Sequence, residues 1–138
     1  MLERIRRERG SGSDFLDFKP GTGGMIEGEF LVQALQMREN IWETNWENAV
    51  DRLHEAGCLS DSELANLKNA YRFLRKCELA LRRYENKSVS VISNNPTEQR
   101  KLAVRVGCPD LDGFRAKYVD ARERIHALYN RHIKNASD

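Results

Sequence analysis

Between Ser60 and Asn86 the apolar residues Leu64, Leu67, Tyr71, Leu74, Cys77 and Leu81 recur in steps of three and four. That spacing stacks them along one side of a helix of ~3.6 residues per turn. Arg72, Lys76 and Arg83 fall on the opposite side. A helix this long and this one-sided needs other helices to cover its stripe, so it constrains the whole chain. Its start is marked by Ser60 with Glu63, a capping box in which each residue satisfies the other's backbone amide.

The shorter segments around it read the same way. Met25 to Glu39 carries Ile26, Phe30, Val32, Ala34 and Met37 near helical spacing, and Leu31 and Leu35 widen the apolar surface beyond a stripe. A helix apolar over so much of its circumference is expected to be buried on several sides. Thr44 with Glu47 reads as a second capping box, opening a helix that closes at Gly57 and turns Trp46, Val50 and Leu53 inward. Ser88 to Ser93 reads as an extended linker. Asn95-Pro96-Thr97-Glu98 then sets a cap, a first-turn proline and an acid in helix-starting order, and that helix ends at Gly107. The last begins near Asp110 and lines up Leu111, Phe114, Tyr118, Ala121, Ile125, Leu128 and His132. With no second strand pattern, the fold is expected to be all-α, a bundle of about five helices over residues 25–138.

Residues 1–24 read differently. Arg4, Arg6, Arg7 and Arg9 precede Gly10-Ser11-Gly12-Ser13, and Asp14 to Lys19 alternates like a short strand or arm. Pro20, Gly21, Thr22, Gly23 and Gly24 then break the chain. This extended N-terminal arm is expected to lie outside the packed core.

Composition narrows the function classes. The chain has 138 residues, with 23 Lys+Arg against 21 Asp+Glu, a length suited to one domain. No run approaches the ~18 apolar residues of a membrane span, and no signal peptide opens it, so no membrane contact is expected. Cys58, Cys77 and Cys108 are odd in number and never spaced as CxxC, which argues against a disulfide framework and a zinc knuckle. A reducing, cytoplasmic setting is the default expectation. The charge is also unevenly spread. Seven acids lie between Glu39 and Glu63 against Arg52 alone, whereas residues 71–87 and 115–134 are each basic. Opposed acidic and basic faces point to contact with each other or with a partner. A nucleic-acid stripe would shift the whole chain further basic, so nucleic acid is disfavoured as a partner.

Few constellations could carry chemistry. His54, His126 and His132 have no metal-ligand spacing, and surface or core imidazoles are the simpler reading. Activated cysteines need an electropositive pocket that sequence does not display. Asn86-Lys87-Ser88 and Asn135-Ala136-Ser137 match the glycosylation pattern, which means little without a secretion signal. Gly21-Thr22-Gly23-Gly24 stands before a helix, where backbone amides and the helix dipole favour an anion. It lacks the Lys-Ser/Thr of a P-loop, and Glu27 and Glu29 would repel a phosphate, so a helix-starting turn is favoured over a phosphate cradle. Glu78 falls inside the apolar stripe, where an unpaired carboxylate is costly. Arg75 and Arg82, at i−3 and i+4, offer it a local ion pair. The alternative is a carboxylate presented to a neighbouring domain or ligand.

Three segments carry a family resemblance. Lys19-Pro20-Gly21-Thr22-Gly23-Gly24-Met25-Ile26-Glu27-Gly28-Glu29-Phe30-Leu31-Val32-Gln33 is similar to the K-x-G-x-GG-x-x-D-I-E-F-x-x-Q segment of glutamate–ammonia-ligase adenylyltransferases. These are the bifunctional enzymes that adenylylate and deadenylylate glutamine synthetase. Ala70-Tyr71-Arg72-Phe73-Leu74-Arg75-Lys76-Cys77-Glu78-Leu79-Ala80-Leu81 resembles that family's A-Y-x-F-L-R-x-x-E-x-x-L helix, and Gln99-Arg100-Lys101-Leu102-Ala103 through Gly107 its R-x-L-A-x-x-x-G segment. The matches come in the right order and span the chain beyond the arm. One departure is Glu27-Gly28-Glu29 in place of Asp-Ile-Glu, which introduces a helix-weakening glycine.

The resemblance implies a helical domain that follows a nucleotidyltransferase domain. Such a catalytic half would carry a Gly-Ser turn and an Asp-x-Asp pair holding magnesium for transfer from ATP. Gly12-Ser13 with Asp14 and Asp17 has the wrong spacing, and Asp110-Leu111-Asp112 is explained by helix capping. No cofactor is therefore expected on this chain itself; Mg and ATP belong to the full-length enzyme, and Met1 is expected to mark a start just behind the catalytic domain. Glutamine synthetase and a PII-type regulator are the partners the resemblance implies. The Gly23-Gly24 turn with Glu27 and Glu29 is expected to face the catalytic domain, with Gln33 and the Arg75–Glu78 pair holding that helix or reaching the same cleft. The rival is a free-standing helical module that binds protein or nucleic acid through its basic faces. A small enzyme using Glu27 and Glu29 as acid and base is disfavoured, because helical residues i and i+2 point apart.

Overall fold

The computed structural model describes residues 16–84 and 91–134. Five α-helices follow one another: α1 (Met25–Glu39), α2 (Trp46–Glu55), α3 (Asp61–Tyr84), α4 (Pro96–Arg105) and α5 (Leu111–Tyr129), the last continuing into a π-helical turn, Asn130–Lys134. Among the described residues there is no strand, only an isolated antiparallel bridge between Asp17 and Val91. The expected all-α bundle is what forms.

Helix α3 lies at the centre. Its largest interface is with α5; α1 packs on both, α2 on α1 and α3, and α4 on α3 and α5. Leu67, Leu74 and Cys77 of the α3 stripe are fully buried, against Leu31 and Leu35 of α1, Leu53 of α2, Leu102 of α4 and Ile125 of α5 in one core. The caps work largely as read. Ser60 and Glu63 exchange both capping bonds, the Glu63 amide to Ser60 Oγ at 3.2 Å and the Ser60 amide to Glu63 Oε1 at 2.9 Å. Asn95 accepts from the amides of Thr97 and Glu98, Pro96 fills the first helical position, and Asp110 accepts from the Gly113 amide. No described helix is long and apolar enough to cross a membrane.

Four expectations need correction. The residue capping α2 is Asn45, whose side chain accepts from the Asn48 amide, and not Thr44. Glu47 is drawn away from the cap because it forks onto the Arg72 guanidinium of α3. Helix α1 is buried on one side only: Gly28, Leu31, Val32 and Leu35 are covered, while Ile26, Phe30 and Met37 are 53%, 51% and 74% exposed. The arm is not separate from the core where it is described. Phe18 is fully buried, Gly23 and Gly24 are buried too, and the bridge to Val91 brings buried Ile92 alongside. The stretch from 88 to 93 is therefore more than a linker at its described end. The arginines of residues 1–15, the chain 85–90 including Asn86, and residues 135–138 lie outside the described residues.

The uneven charge resolves into internal pairs. The acidic stretch meets α3 and the π turn through Glu47–Arg72, Asp51–Lys68 at 2.5 Å, and Glu63 with His132 at 2.9 Å and Arg131 at 3.4 Å. Each histidine is likewise taken by a carboxylate: His54 by Asp61, His126 by Glu27 and His132 by Glu63. Among the described residues no group of three or more His, Cys, Asp or Glu is placed to hold a metal ion. The cysteines are free thiols, and burial pushes that of Cys77 up to about 12, which suits packing rather than reactivity.

Candidate functional site

The glycine turn starts α1 by spending its amides internally. Gly23 N donates to Glu27 Oε1 at 2.9 Å, Gly24 N to Gly21 O at 3.1 Å, Met25 N to Phe18 O at 2.8 Å and Ile26 N to Lys19 O at 2.9 Å. Consecutive donors that would cradle a phosphate are thus already used, which leaves the turn as a helix start. Gly23 also needs to be glycine. Its φ is +75°, and a Cβ there would stand 1.9 Å from the Arg122 carbonyl oxygen of α5.

Glu27 and Glu29 leave α1 on different sides. Glu27 Oε1 faces His126 Nδ1 at 3.0 Å, and His126 Nε2 faces Asn130 Nδ2 at 3.1 Å, beside an open groove of about 430 Å³ lined by Ile26, Phe30 and Tyr129. Glu29 instead turns to α3, where the Tyr71 hydroxyl donates to Oε2 at 2.6 Å. The two carboxylates therefore share neither a proton nor a metal ion. A Mg²⁺ held by this pair does not fit the geometry.

Around Tyr71 the motif residues do converge. The Tyr71 ring stacks on Trp46 with centroids 4.0 Å apart and planes 18° from parallel, and Trp46 Nε1 donates to the Gly28 carbonyl at 3.4 Å. Glu29, Gln33, Trp46 and Tyr71 line a pocket of about 410 Å³. One turn further along α3, Arg75 pairs with Glu78. Glu78 is only 4% exposed, yet it also meets Lys19 Nζ at 2.9 Å and Arg82 at 3.8 Å. Lys19 opens the first motif segment and Glu78 lies within the second, so this contact ties the two together.

Electrostatics fix the protonation states. Burial opposes the charge on Glu78, but Lys19 and Arg75 outweigh it and hold the carboxyl below its ordinary range. Burial and the neighbouring Glu29 carboxylate push the Tyr71 phenol far up, so it remains a neutral donor. The result is a carboxylate ringed by cations next to a phenol–carboxylate pair. It is a polar face whose Arg75 and Arg82 side chains, each about half exposed, carry positive charge outward.

Glu29 and Gln33 thus share the Tyr71 pocket, Arg75 and Glu78 pair one turn along α3, Gly23 and Gly24 shape the turn that starts α1, and Glu27 is set apart. Residue-by-residue reading missed Tyr71, Trp46 and Arg122. Tyr71 and Trp46 looked like ordinary core positions, and only a long-range pairing reveals their polar ends. Arg122 is fully buried: it donates to the carbonyls of Thr22 (3.1 Å), Asp17 (2.8 Å) and Pro20 (3.0 Å) and to Tyr118 Oη (3.0 Å). It clamps the segment carrying Lys19 and the glycine turn onto α5.

Fold and site together define an all-α helical bundle with a polar face in which three cations hold one buried carboxylate. The chain belongs to the GlnD PII-uridylyltransferase family, which matches residues 1–133. Its relatives include proteins named bifunctional glutamine synthetase adenylyltransferase/adenylyl-removing enzyme. That of Stenotrophomonas maltophilia (strain R551-3) is 33% identical over 114 residues, covering 79% of this chain and 12% of the relative. That of Methylococcus capsulatus is 29% identical over 134 residues, 94% of this chain and 14% of the relative. That of Hahella chejuensis is 31% identical over 130 residues, 91% and 14% respectively. The chain therefore spans only 12–14% of the length of these relatives.

Proposed function

We propose that this chain is a helical domain of a glutamine synthetase adenylyltransferase-type enzyme, inert in nucleotidyl transfer by itself. It supports ATP-dependent adenylylation or deadenylylation of glutamine synthetase in nitrogen regulation, in the cytoplasm. ATP and Mg²⁺ are held by a preceding nucleotidyltransferase domain, and a PII-type protein regulates the whole. The observation that carries the reading is that two contacts, Glu78 with Lys19 and Arg75, and Tyr71 with Glu29 beside Gln33, join two separate segments that resemble the family. The polar face addresses the catalytic domain, with Glu29 and Arg75 as positioning residues. The exposed Ile26 and Phe30 side chains, which line one open groove with Tyr129, further support a chain that is covered by another domain, because exposed apolar surface in water is unfavourable.

The test is the enzyme carrying this domain, with glutamine synthetase and ATP as substrates. Glu29→Ala and Tyr71→Phe are expected to lower kcat about tenfold or more, with KM for ATP and the melting temperature little changed. A well-folded Glu29→Ala enzyme with normal turnover would refute the role of this face.

A further inference from the structure

The pocket of about 410 Å³ beside Tyr71 is lined by two carboxylates, Glu29 and Glu43, and by no lysine or arginine. Glu29 makes no ion pair among the described residues; the Tyr71 hydroxyl occupies its Oε2 and leaves Oε1 without a donor. Glu43 accepts from the Asn45 amide at 3.3 Å, and Arg52, outside the pocket, stands 4.0 Å away. Gln36 supplies an independent observation. It is 9% exposed and lines the same pocket, and its Nε2 donates to the Glu43 carbonyl at 3.0 Å. That bond settles which end of the amide is nitrogen, so Oε1 is left as an acceptor with no donor among the described residues. The fully covered side-chain oxygens that lack a partner are Glu123 Oε2 and Asn130 Oδ1, so Gln36 Oε1 opens into the pocket. A buried amide with an open acceptor is unfavourable unless something in the pocket donates to it. Glu29 and Gln36, at i and i+7, share one side of α1, with exposed Gln33 between them. Trp46 stacked on Tyr71 closes the pocket with a flat aromatic wall.

We propose that this pocket binds a guanidinium group. Acceptors without donors call for a ligand that donates, and carboxylates without a close cation call for a positive one. A guanidinium is both, with five N–H donors in one plane to share among Glu29, Gln36 and Glu43 and a face to rest on the aromatic wall. A primary ammonium concentrates three donors at a point and has no face to lay on a ring. The two carboxylates disfavour an anion, and a free α-amino acid brings a carboxylate that no lysine or arginine here can pair. The group therefore comes either from a small guanidine without a carboxylate or from an arginine side chain of an adjoining polypeptide. The second source rests on the reading that turns this side to the catalytic domain; the site itself does not.

Titration of the full chain with butylguanidinium, followed at the Trp46 indole and Gln36 side-chain amide resonances, tests this. A saturable shift is expected, and Glu29→Gln/Glu43→Gln should weaken binding about tenfold or more. The charge-matched pair Glu55→Gln/Asp112→Asn, at exposed positions elsewhere, should change it less than about twofold. If the pocket double variant melts lower than wild type, Glu29→Gln alone, which keeps an acceptor for Tyr71, replaces it with the same direction expected. Butylurea has the shape without the charge, and tetramethylammonium the charge without the donors; both should bind about tenfold or more weakly. Blocked arginine binding tighter than agmatine assigns the source to a polypeptide, and the reverse order to a small guanidine; either supports the site. No saturable shift, equal loss in both double variants, or butylurea, butylammonium or tetramethylammonium binding as tightly as butylguanidinium would each overturn the proposal. Turnover enters none of these readouts. A Glu29→Ala enzyme with normal kcat would remove the catalytic role and leave the site, whereas absent binding would remove the site and leave the role.

Discussion

Replacing Arg122 by Met probes the least expected contact in the fold. Methionine keeps much of the apolar stem but removes donors to Thr22 O, Asp17 O, Pro20 O and Tyr118 Oη. A hydrogen bond from a charged donor contributes about 1.5–3 kcal/mol, but these four do not add. The carbonyls belong to a partly exposed segment that can swing toward water, and losing a buried guanidinium also relieves its desolvation. Each acceptor left unsatisfied costs about 1–3 kcal/mol, so with partial relaxation the loss is about 3–5 kcal/mol in all. Against a typical stability of about 5–15 kcal/mol this is a large loss, equivalent to a melting temperature lower by on the order of 10–15 °C. Urea denaturation followed by tryptophan fluorescence measures the total. Amide exchange locates it: Met25 N and Ile26 N bond to Phe18 O and Lys19 O, so their protection should fall before that of the α3 core. Arg122→Lys should recover only a minor part, because an ammonium cannot fork onto several carbonyls. A stability within about 1 kcal/mol of wild type, or protection lost evenly with no preference for Met25 and Ile26, would refute the clamp.

Two further outcomes follow from the same contacts. Gly23→Ala should destabilise by about 2–4 kcal/mol, because both its positive φ and the Arg122 carbonyl oppose a Cβ. Gly57→Ala has a similar φ but nothing within 4 Å, so it should cost only about 1 kcal/mol, and equal melting of the two variants would discount the clash. Stability should also fall in acid. Glu78 and Glu63 are both buried, a cost that Lys19 and Arg75 outweigh for the first, and the Ser60 amide, His132 and Arg131 for the second. Both carboxyls are thereby held below 4.5, so their contribution is complete above that pH and is lost as pH falls through the lowered folded values. Urea midpoints measured downward from about pH 6 should drop in this window and drop less in Glu78→Gln; a flat profile would contradict the ion-pair assignment.

Helix existence was largely legible in the sequence because it rests on local chemistry. The α3 stripe, the Ser60–Glu63 box and the Asn95-Pro96 start each depend on residues a few positions apart. Reading failed where distant groups compete for the same side chain. Glu47 fits a cap from Thr44, but Arg72, 25 residues away, holds it and Asn45 caps instead. The apolar pattern of α1 said how much surface it could bury, not how much this chain covers, and Ile26, Phe30 and Met37 stay open.

The candidate site divides along the same line. Sequence alone determined that Glu78 would need a cation and that Arg75 and Arg82 were in reach, because i−3 and i+4 are neighbours on any helix. It set Glu27 and Glu29 on different sides only if both lie on the helix, and α1 starting at Met25 meets that condition. Only the tertiary structure decided that Lys19 completes the Glu78 cluster, that Tyr71 closes on Glu29, and that Arg122 binds the arm to α5. Helical periodicity fixes the direction of a side chain about its own axis. Which polar group waits in that direction depends on how the helices pack, and packing is set by the shape of the whole core.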